Sequence, residues 1–233
     1  GQVTADHPSE GEPTEPMASN QAFDRLSDEE RALDRRGLRE EQRAVLQRLE
    51  AMAEATDDRT RLADVQARLA EWGLRSGAFR PGLEAARRAL ELADGMNRPD
   101  VEAAALRSGG MCVFHLGDPH EALDWQQRAI EKSELARDEA GRLWGISNVA
   151  IVALSLGLPD VAAAFLDEAV TAWREVGERG LLAGPINNLA MVAHRLGDLH
   201  RAAELQTEAV SLAGASGDLA LAAQGEASAG VRE

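Results

Sequence analysis

The sequence predicts an all-α protein built as a right-handed superhelical solenoid of antiparallel helix hairpins. Glycine recurs every 40 residues through most of the chain, and small residues recur in phase with it. A period of about 20–50 residues is typical of a stacked array of supersecondary units. Alanine, leucine, glutamate and arginine dominate the composition, whereas aromatic residues make up only 3%. This composition favours helix over strand.

Four sets of in-phase positions define the repeating unit. The glycines are Gly77, Gly117, Gly157 and Gly197. Seven residues before each glycine stand Ala70, Gly110, Ala150 and Ala190, and five residues after it stand Gly82, Ala122, Ala162 and Ala202. Twelve residues after each glycine stand Ala89, Ala129, Ala169 and Ala209. Because small side chains let two helix axes approach closely, these positions predict tight helix crossings.

Each unit is predicted to hold two helices joined by a short turn. One apolar stripe lies at helical spacing and consists of Ala162, Phe165, Leu166, Ala169, Val170 and Trp173. Gly157 and Pro159 precede this stripe. Glycine suits the left-handed residue that closes a helix, and proline suits the first turn of the next one. Asp118, in the turn inside the second unit, and the in-phase Asp58, Asp138 and Asp218, at the turns between units, are predicted to cap helix N-termini.

The repeats divide the chain into one degenerate hairpin, four regular hairpins and a terminal helix. The degenerate hairpin spans residues 24–56, where Gln42 and Leu49 occupy positions that are small in the other units. The regular hairpins span residues 59–97, 98–137, 138–177 and 178–217, and the terminal helix spans residues 218–231. Residues 1–20 contain three prolines, four acids and no Lys or Arg. They are predicted to form a disordered acidic arm.

Composition excludes several classes of function. The formal net charge of −15 argues against direct binding to nucleic acid or to an anionic membrane. No apolar stretch is long enough to span a membrane, and the N-terminus lacks the pattern of a signal peptide. We therefore expect a cytoplasmic protein. The lone cysteine, Cys112, falls at an otherwise apolar position of the repeat and is expected to be buried.

The repeat resembles the tetratricopeptide repeat family. Asn188-Leu189-Ala190 followed by Leu196-Gly197-Asp198, Ala202 and Ala209 matches the motif of that family. The departures are the 40-residue length of the unit and the absence of tyrosine. Units of this length and composition are also similar to the repeat regions of bacterial regulators that contain a signal-transduction ATPase. The resemblance implies a sensing or scaffolding role, in bacterial regulation or signalling.

The resemblance further implies that the first helix of each hairpin lines a concave groove for an extended peptide. The residues of this chain at the matching positions that we expect to bind are Arg68, Arg107, Met111, Trp144, Asn148, Asn187, Asn188, Met191, His194 and Arg195. Over all matching positions the groove carries four arginines and two acids. Arginine binds carboxylates, asparagine bonds the peptide backbone, and methionine gives adaptable apolar contact. We therefore expect a protein or peptide partner with an acidic or C-terminal segment.

Two other functions remain open from the sequence. The concave surface of a regulator could close on a small molecule, or the exposed end of the array could mediate homo-oligomerisation. No catalytic motif or phosphate loop occurs in the sequence, so we expect no enzyme activity and no cofactor. His120 and His200 lie two repeats apart without a cluster of ligands at metal-binding spacing, so we expect no metal site.

Overall fold

The computed structural model describes residues 15–176 and 179–216, and within these ranges the chain forms ten helices and no strand. The helices are α1 (Glu15–Arg35), α2 (Arg39–Ala55), α3 (Arg59–Ser76), α4 (Phe79–Ala93), α5 (Pro99–His115), α6 (Pro119–Ala136), α7 (Glu139–Ser155), α8 (Pro159–Val176), α9 (Arg179–Arg195) and α10 (Leu199–Ser216). The predicted all-helical class is confirmed. Among the described residues, no helix is both long and apolar enough to cross a membrane.

Successive helices pair into five hairpins that stack in chain order. Each first helix packs on the second helix of its own hairpin, and each second helix packs on the first helix of the next hairpin. The hairpins, numbered 1 to 5, are α1–α2, α3–α4, α5–α6, α7–α8 and α9–α10. This stacking gives the helical repeat solenoid that the 40-residue period predicts.

The turn inside each hairpin requires a left-handed residue. The glycine at this turn has a φ of +70° at Gly37, +79° at Gly77, +104° at Gly117, +77° at Gly157 and +83° at Gly197. Residues with a side chain rarely adopt this conformation, whereas glycine adopts it at no steric cost. The glycine period therefore reflects a backbone requirement of the turn.

The turns between hairpins follow the same period, and three of their left-handed residues are not glycine. Asp57, Asn97 and Arg137 lie 40 residues apart and have φ values of +50°, +54° and +56°. Aspartate and asparagine tolerate this region better than most residues, and arginine does so at a higher cost. The predicted aspartate caps are confirmed at Asp58, Asp118 and Asp138, whose carboxylates each accept a hydrogen bond from the backbone N–H of the residue three positions later.

Two helices approach each other closely within hairpin 2. A Cβ atom built on Gly73 of α3 would lie 2.4 Å from the Cα of Gly82 of α4. A Cβ on Gly82 would in turn lie 2.9 Å from the Sγ of Cys112 on α5. Gly82 is a glycine where the other units have alanine because three helices meet at this point. Cys112 is fully buried, as predicted.

The described residues can be compared with the predicted N-terminal arm and the predicted terminal helix. Helix α1 begins at Glu15, so residues 15–20 are helical and do not belong to a disordered segment. Pro16 is compatible with this start because proline is tolerated in the first turn of a helix. The remainder of the predicted arm, residues 1–14, and the predicted terminal helix with the cap Asp218 lie outside the described residues.

Candidate functional site

The first helices of the hairpins form the inner face of the array. Helices α3, α5, α7 and α9 pack against one another in succession, whereas the second helices make no comparable direct packing within the described ranges. Ion pairs formed by long side chains connect successive second helices instead. Arg88 reaches Glu54 across 3.1 Å, and Arg174 reaches Glu208 across 3.0 Å. An array whose first helices crowd together curves with those helices on the inside.

Acidic residues of α1 form ion pairs with the arginines at the N-terminal end of this inner face. Glu30 is 4% exposed, and its Oε2 lies 3.5 Å from Nη1 of Arg68. Asp34 Oδ2 lies 3.2 Å from Nη1 of Arg75. The positive excess calculated from the sequence is therefore offset at α3. The two carboxylates belong to the degenerate hairpin, whereas the predicted groove comprised only the first helices of the four regular hairpins.

A cavity of about 280 Å³ lies among these charges, between α1, α2 and α3. Its walls include Glu30, Asp34, Gln42, Arg68 and Glu71. Gln42 is buried and donates from Nε2 to Glu30 across 2.7 Å. Because charges of both signs line the cavity and bond to each other, it offers few unmatched groups to a ligand.

Arg107 of α5 differs from the arginines of α3. Its Nη1 is buried and has no hydrogen-bond partner within the described residues. A buried donor without an acceptor costs free energy. A carboxylate would relieve this cost most strongly, provided that the Arg107 side chain rotates to expose the nitrogen. Met111, one turn further along α5, is only 6% exposed, so it is not available as the adaptable peptide contact that the sequence predicted.

A buried glutamine joins Arg107 to Asn148. Gln126 of α6 is fully buried. Its Nε2 donates to the backbone oxygen of Arg107 across 2.8 Å, and its Oε1 accepts from Nδ2 of Asn148 across 3.1 Å. Asn148 is half-buried on α7. The structure thus brings two of the predicted groove residues together through a third residue on a second helix.

Trp144 lies at the start of the C-terminal half of the inner face. Its ring packs edge-to-face against Trp173, with 6.2 Å between centroids. A Cβ on Gly184 of α9 would lie 2.9 Å from Cη2 of Trp144. The absence of a side chain at Gly184 therefore makes room for the half-buried Trp144 ring between α7 and α9.

The remaining predicted residues lie on α9. Asn187 and Asn188 are half-buried, and Oδ1 of Asn187 accepts from Nε2 of Gln206 across 3.3 Å. Met191 is 42% exposed, and His194 and Arg195 are exposed as well. The groove positions of hairpins 3 to 5 hold Arg107 and Arg195 and no carboxylate. The positive charge expected for the whole groove is thus located in the part formed by hairpins 3 to 5.

The histidines lie in ordinary surroundings. His115 stacks on Phe79 with 4.4 Å between ring centroids, and burial lowers the pKa of its imidazole. Nδ1 of His200 lies 3.5 Å from the carboxylate of Glu204 one turn along α10. Within the described part of the chain, no three residues among His, Cys, Asp and Glu are grouped so that they could hold a metal ion.

Gln126 and Gln206 were not among the predicted groove residues, although the sequence contained a signal for them. Both lie nine residues after the repeat glycine, where the other regular hairpins have Ala86 and Leu166. A polar residue at a position that is otherwise apolar and buried requires hydrogen-bond partners. Those partners, Arg107 and Asn148 for Gln126 and Asn187 for Gln206, lie on first helices.

Solved structures of helical repeat proteins are similar to this chain. BtubC (BKLC) from P. vanneervenii aligns with a TM-score of 0.68 at 18% identity, over 86% of this chain and 83% of BtubC. A STAND protein with a tetratricopeptide repeat sensor from Pyrococcus horikoshii aligns with a TM-score of 0.65 at 14% identity, over 90% of this chain and 33% of that protein. Repeats described as tetratricopeptide-like, from a putative kinesin light chain, match as well. The chain has the tetratricopeptide-like repeat fold.

Another structure with this fold was solved with a bound partner. A Rap protein complexed with competence and sporulation factor aligns with a TM-score of 0.64 at 11% identity, over 93% of this chain and 70% of the Rap protein. No protein-family model matches the sequence, and no curated protein matches it significantly. At these identities the likeness establishes the tetratricopeptide-like fold alone.

Proposed function

We propose that the inner face of α5, α7 and α9 binds an extended, acidic segment of a protein partner. The observation that carries this proposal is the buried Nη1 of Arg107, which has no partner within the described residues. The backbone oxygen of the same residue is linked to Asn148 through Gln126. The half-buried Arg107 side chain rotates on binding, so that this nitrogen, buried in the free protein, bonds a carboxylate of the segment. The amides of Asn148, Asn187 and Asn188 bond its backbone.

The charge distribution supports an acidic ligand at this half of the groove. Arg68 and Arg75 already face Glu30 and Asp34, so they contribute little attraction. Arg107 and the exposed Arg195 lie among groove positions without a carboxylate. A positive patch on a protein of net charge −15 attracts only ligands that carry acidic groups at the correct place.

The comparisons support a regulatory role. The STAND protein carries a tetratricopeptide repeat sensor, and the Rap protein was solved in complex with competence and sporulation factor. By analogy, we infer that this chain is a recognition module in bacterial regulation and works in the cytoplasm. Met191 and Trp144 supply apolar contact surface at the C-terminal half of the groove.

A peptide array tests the proposal directly. The wild-type chain is probed against extended peptides in which the number and position of acidic residues vary, and the tightest ligand is then measured in solution. Arg107→Gln removes the cation while Gln126 keeps its backbone anchor, and we expect affinity to fall about 10- to 100-fold. The paired variant Asn148→Ala/Asn188→Ala is expected to weaken every array peptide, whatever its charge, because it removes backbone contacts.

The matched control is Arg87→Gln. Arg87 lies on α4, outside the inner face, and its guanidinium is 3.9 Å from Glu121. We expect this variant to bind as the wild type does, and we expect binding by the wild type to weaken as salt is raised. Selection of uncharged peptides, or equal affinities for the two arginine variants, would contradict the proposal.

A further inference from the structure

The hydrogen-bond partners of Gln126 allow only one orientation of its side-chain amide. The backbone oxygen of Arg107 can only accept a hydrogen bond, so the atom of Gln126 that lies 2.8 Å away must be the Nε2 donor. Oε1 of Gln126 then faces Asn148, and the atom of Asn148 that lies 3.1 Å away must be Nδ2. One backbone atom of α5 therefore determines the orientation of two side-chain amides.

A glycine on α5, Gly110, leaves space for the side chain of this glutamine. A Cβ on Gly110 would lie 2.6 Å from Nε2 of Gln126 and 2.8 Å from Cβ of Trp125. The other regular hairpins have alanine at the position of Gly110 and do not have a fully buried glutamine at the position of Gln126. Gly110 and Gln126 therefore depart from the repeat for one reason, because the glycine makes space for the glutamine amide.

Hairpin 5 offers a natural comparison. Gln206 occupies the same repeat position as Gln126, but it is only half-buried. It donates to Oδ1 of Asn187 across 3.3 Å and makes no bond to a backbone carbonyl within the described residues. Because two amides that bond only each other can reverse together, the orientation of Asn187 is not determined in this way.

We propose that Gln126 is a positioning residue that presents the Asn148 amide in one fixed orientation, so that hairpins 3 and 4 bind an extended segment in one chain direction. This inference rests on the proposed function. With one Nδ2 hydrogen bonded to Gln126, Asn148 keeps Oδ1 and its second N–H for the N–H and C=O of one residue of the segment. A segment that runs in the opposite direction presents its donor and acceptor in the wrong order. Holding the amide before binding also removes part of the ordering cost of association.

The first part of the test needs no ligand. We expect nuclear magnetic resonance of the free protein to show a protected side-chain amide proton on Asn148. Gln126→Met keeps the side-chain length and removes the amide, so this protection should disappear. Gln206→Met is the matched control and should leave Asn148 unchanged. An Asn148 amide that exchanges freely in the wild type would overturn the proposal.

The second part uses the tightest peptide from the array and its reversed-sequence counterpart. We expect Gln126→Met to weaken the forward peptide about 3- to 10-fold and to narrow the difference between the two peptides. In an Asn148→Ala background, Gln126→Met should have no further effect. Persistence of the loss in that background would show a merely structural role and overturn the proposal.

A second variant covers the case in which Gln126→Met does not fold. Gln126→Leu removes the amide with a shorter apolar side chain, and it should reproduce both the loss of protection and the weaker binding. If no array peptide binds the wild type, the proposed function is wrong, and so is the proposal that the segment binds in one chain direction. The protection experiment still shows in that case whether Gln126 fixes Asn148, so the two failures are distinguishable.

Discussion

Single glycines determine how closely the helices of this solenoid approach one another. A Cβ on Gly73 would meet the backbone of Gly82, at 2.4 Å from its Cα and 2.7 Å from its nitrogen. Backbone atoms of a packed helix cannot move aside as the end of a flexible side chain can. At this crossing, the absence of a side chain is itself the packing requirement.

We expect Gly73→Ala to lower the free energy of unfolding by about 1–3 kcal/mol, because α3 and α4 must separate to admit the methyl group. The control is Gly214→Ala in α10, where a Cβ would meet nothing within 4 Å. Alanine is the better helix former, so the control should be neutral or stabilising by up to about 1 kcal/mol. Urea unfolding measures both variants, and equal midpoints would contradict the prediction.

At the scale of elements, Arg98 connects successive hairpins. It directly precedes α5, and its guanidinium bonds Asp64 of α3 and Asp100 of α5, each across 2.7 Å. The hydrogen bond from Arg98 lowers the pKa of Asp100 below its ordinary value of 3.8. A lowered pKa means that the folded state favours the carboxylate form. The stabilisation is therefore present above pH 3.8 and is lost as the pH falls further.

We expect Arg98→Met to reduce stability at pH 7 by about 1 kcal/mol or less, since the pair with Asp100 is partly exposed. The difference from the wild type should shrink as the pH falls below the ordinary aspartate value, because Asp100 then becomes protonated. Urea midpoints at pH 7, 5 and 3 measure this. Arg128→Met, which removes an exposed pair with Asp124, serves as control and should change little at any of these pH values. A loss that is as large at pH 3 as at pH 7 would refute the assignment.

On the scale of the whole molecule, the core is a series of clusters rather than one centre. One cluster joins hairpin 1 to α3, a second spans hairpins 2 and 3, and a third spans hairpins 4 and 5. Val152 of α7 belongs to the second cluster and links it to hairpin 4. Because each hairpin contacts mainly its neighbours, distant parts of such an array can open independently.

Cys112 reports on such local opening. Its thiol is fully buried, and burial raises its pKa to about 11, so a thiol reagent at pH 7.5 should modify it only after α4 and α5 separate. We expect Leu106→Ala, a substitution in the buried face of α5, to accelerate labelling strongly. Leu205→Ala in hairpin 5 should cost about 2–3 kcal/mol locally and leave labelling nearly unchanged. Equal acceleration in both variants would indicate that the array unfolds as one unit.

Much of the architecture could be predicted because local backbone chemistry repeats along the chain. A left-handed glycine closes each first helix, and an aspartate cap begins several others, so helix boundaries follow from residue types. The candidate site was predictable only in part. Residues on the inner face could be named from their repeat phase, yet the burial of Met111 and the pairing of Arg68 with Glu30 depend on neighbouring helices.

The sequence by itself determined that this protein is a helical array with a 40-residue period and with first helices that carry arginine and asparagine at matching positions. Only the tertiary structure decided which of those side chains are already bonded. Arg68 meets a carboxylate from α1, whereas a buried nitrogen of Arg107 has no partner within the described residues and Gln126 orients Asn148. The reason is that periodicity assigns a residue to a face, but hydrogen bonding depends on side chains that stacking brings together from distant parts of the chain.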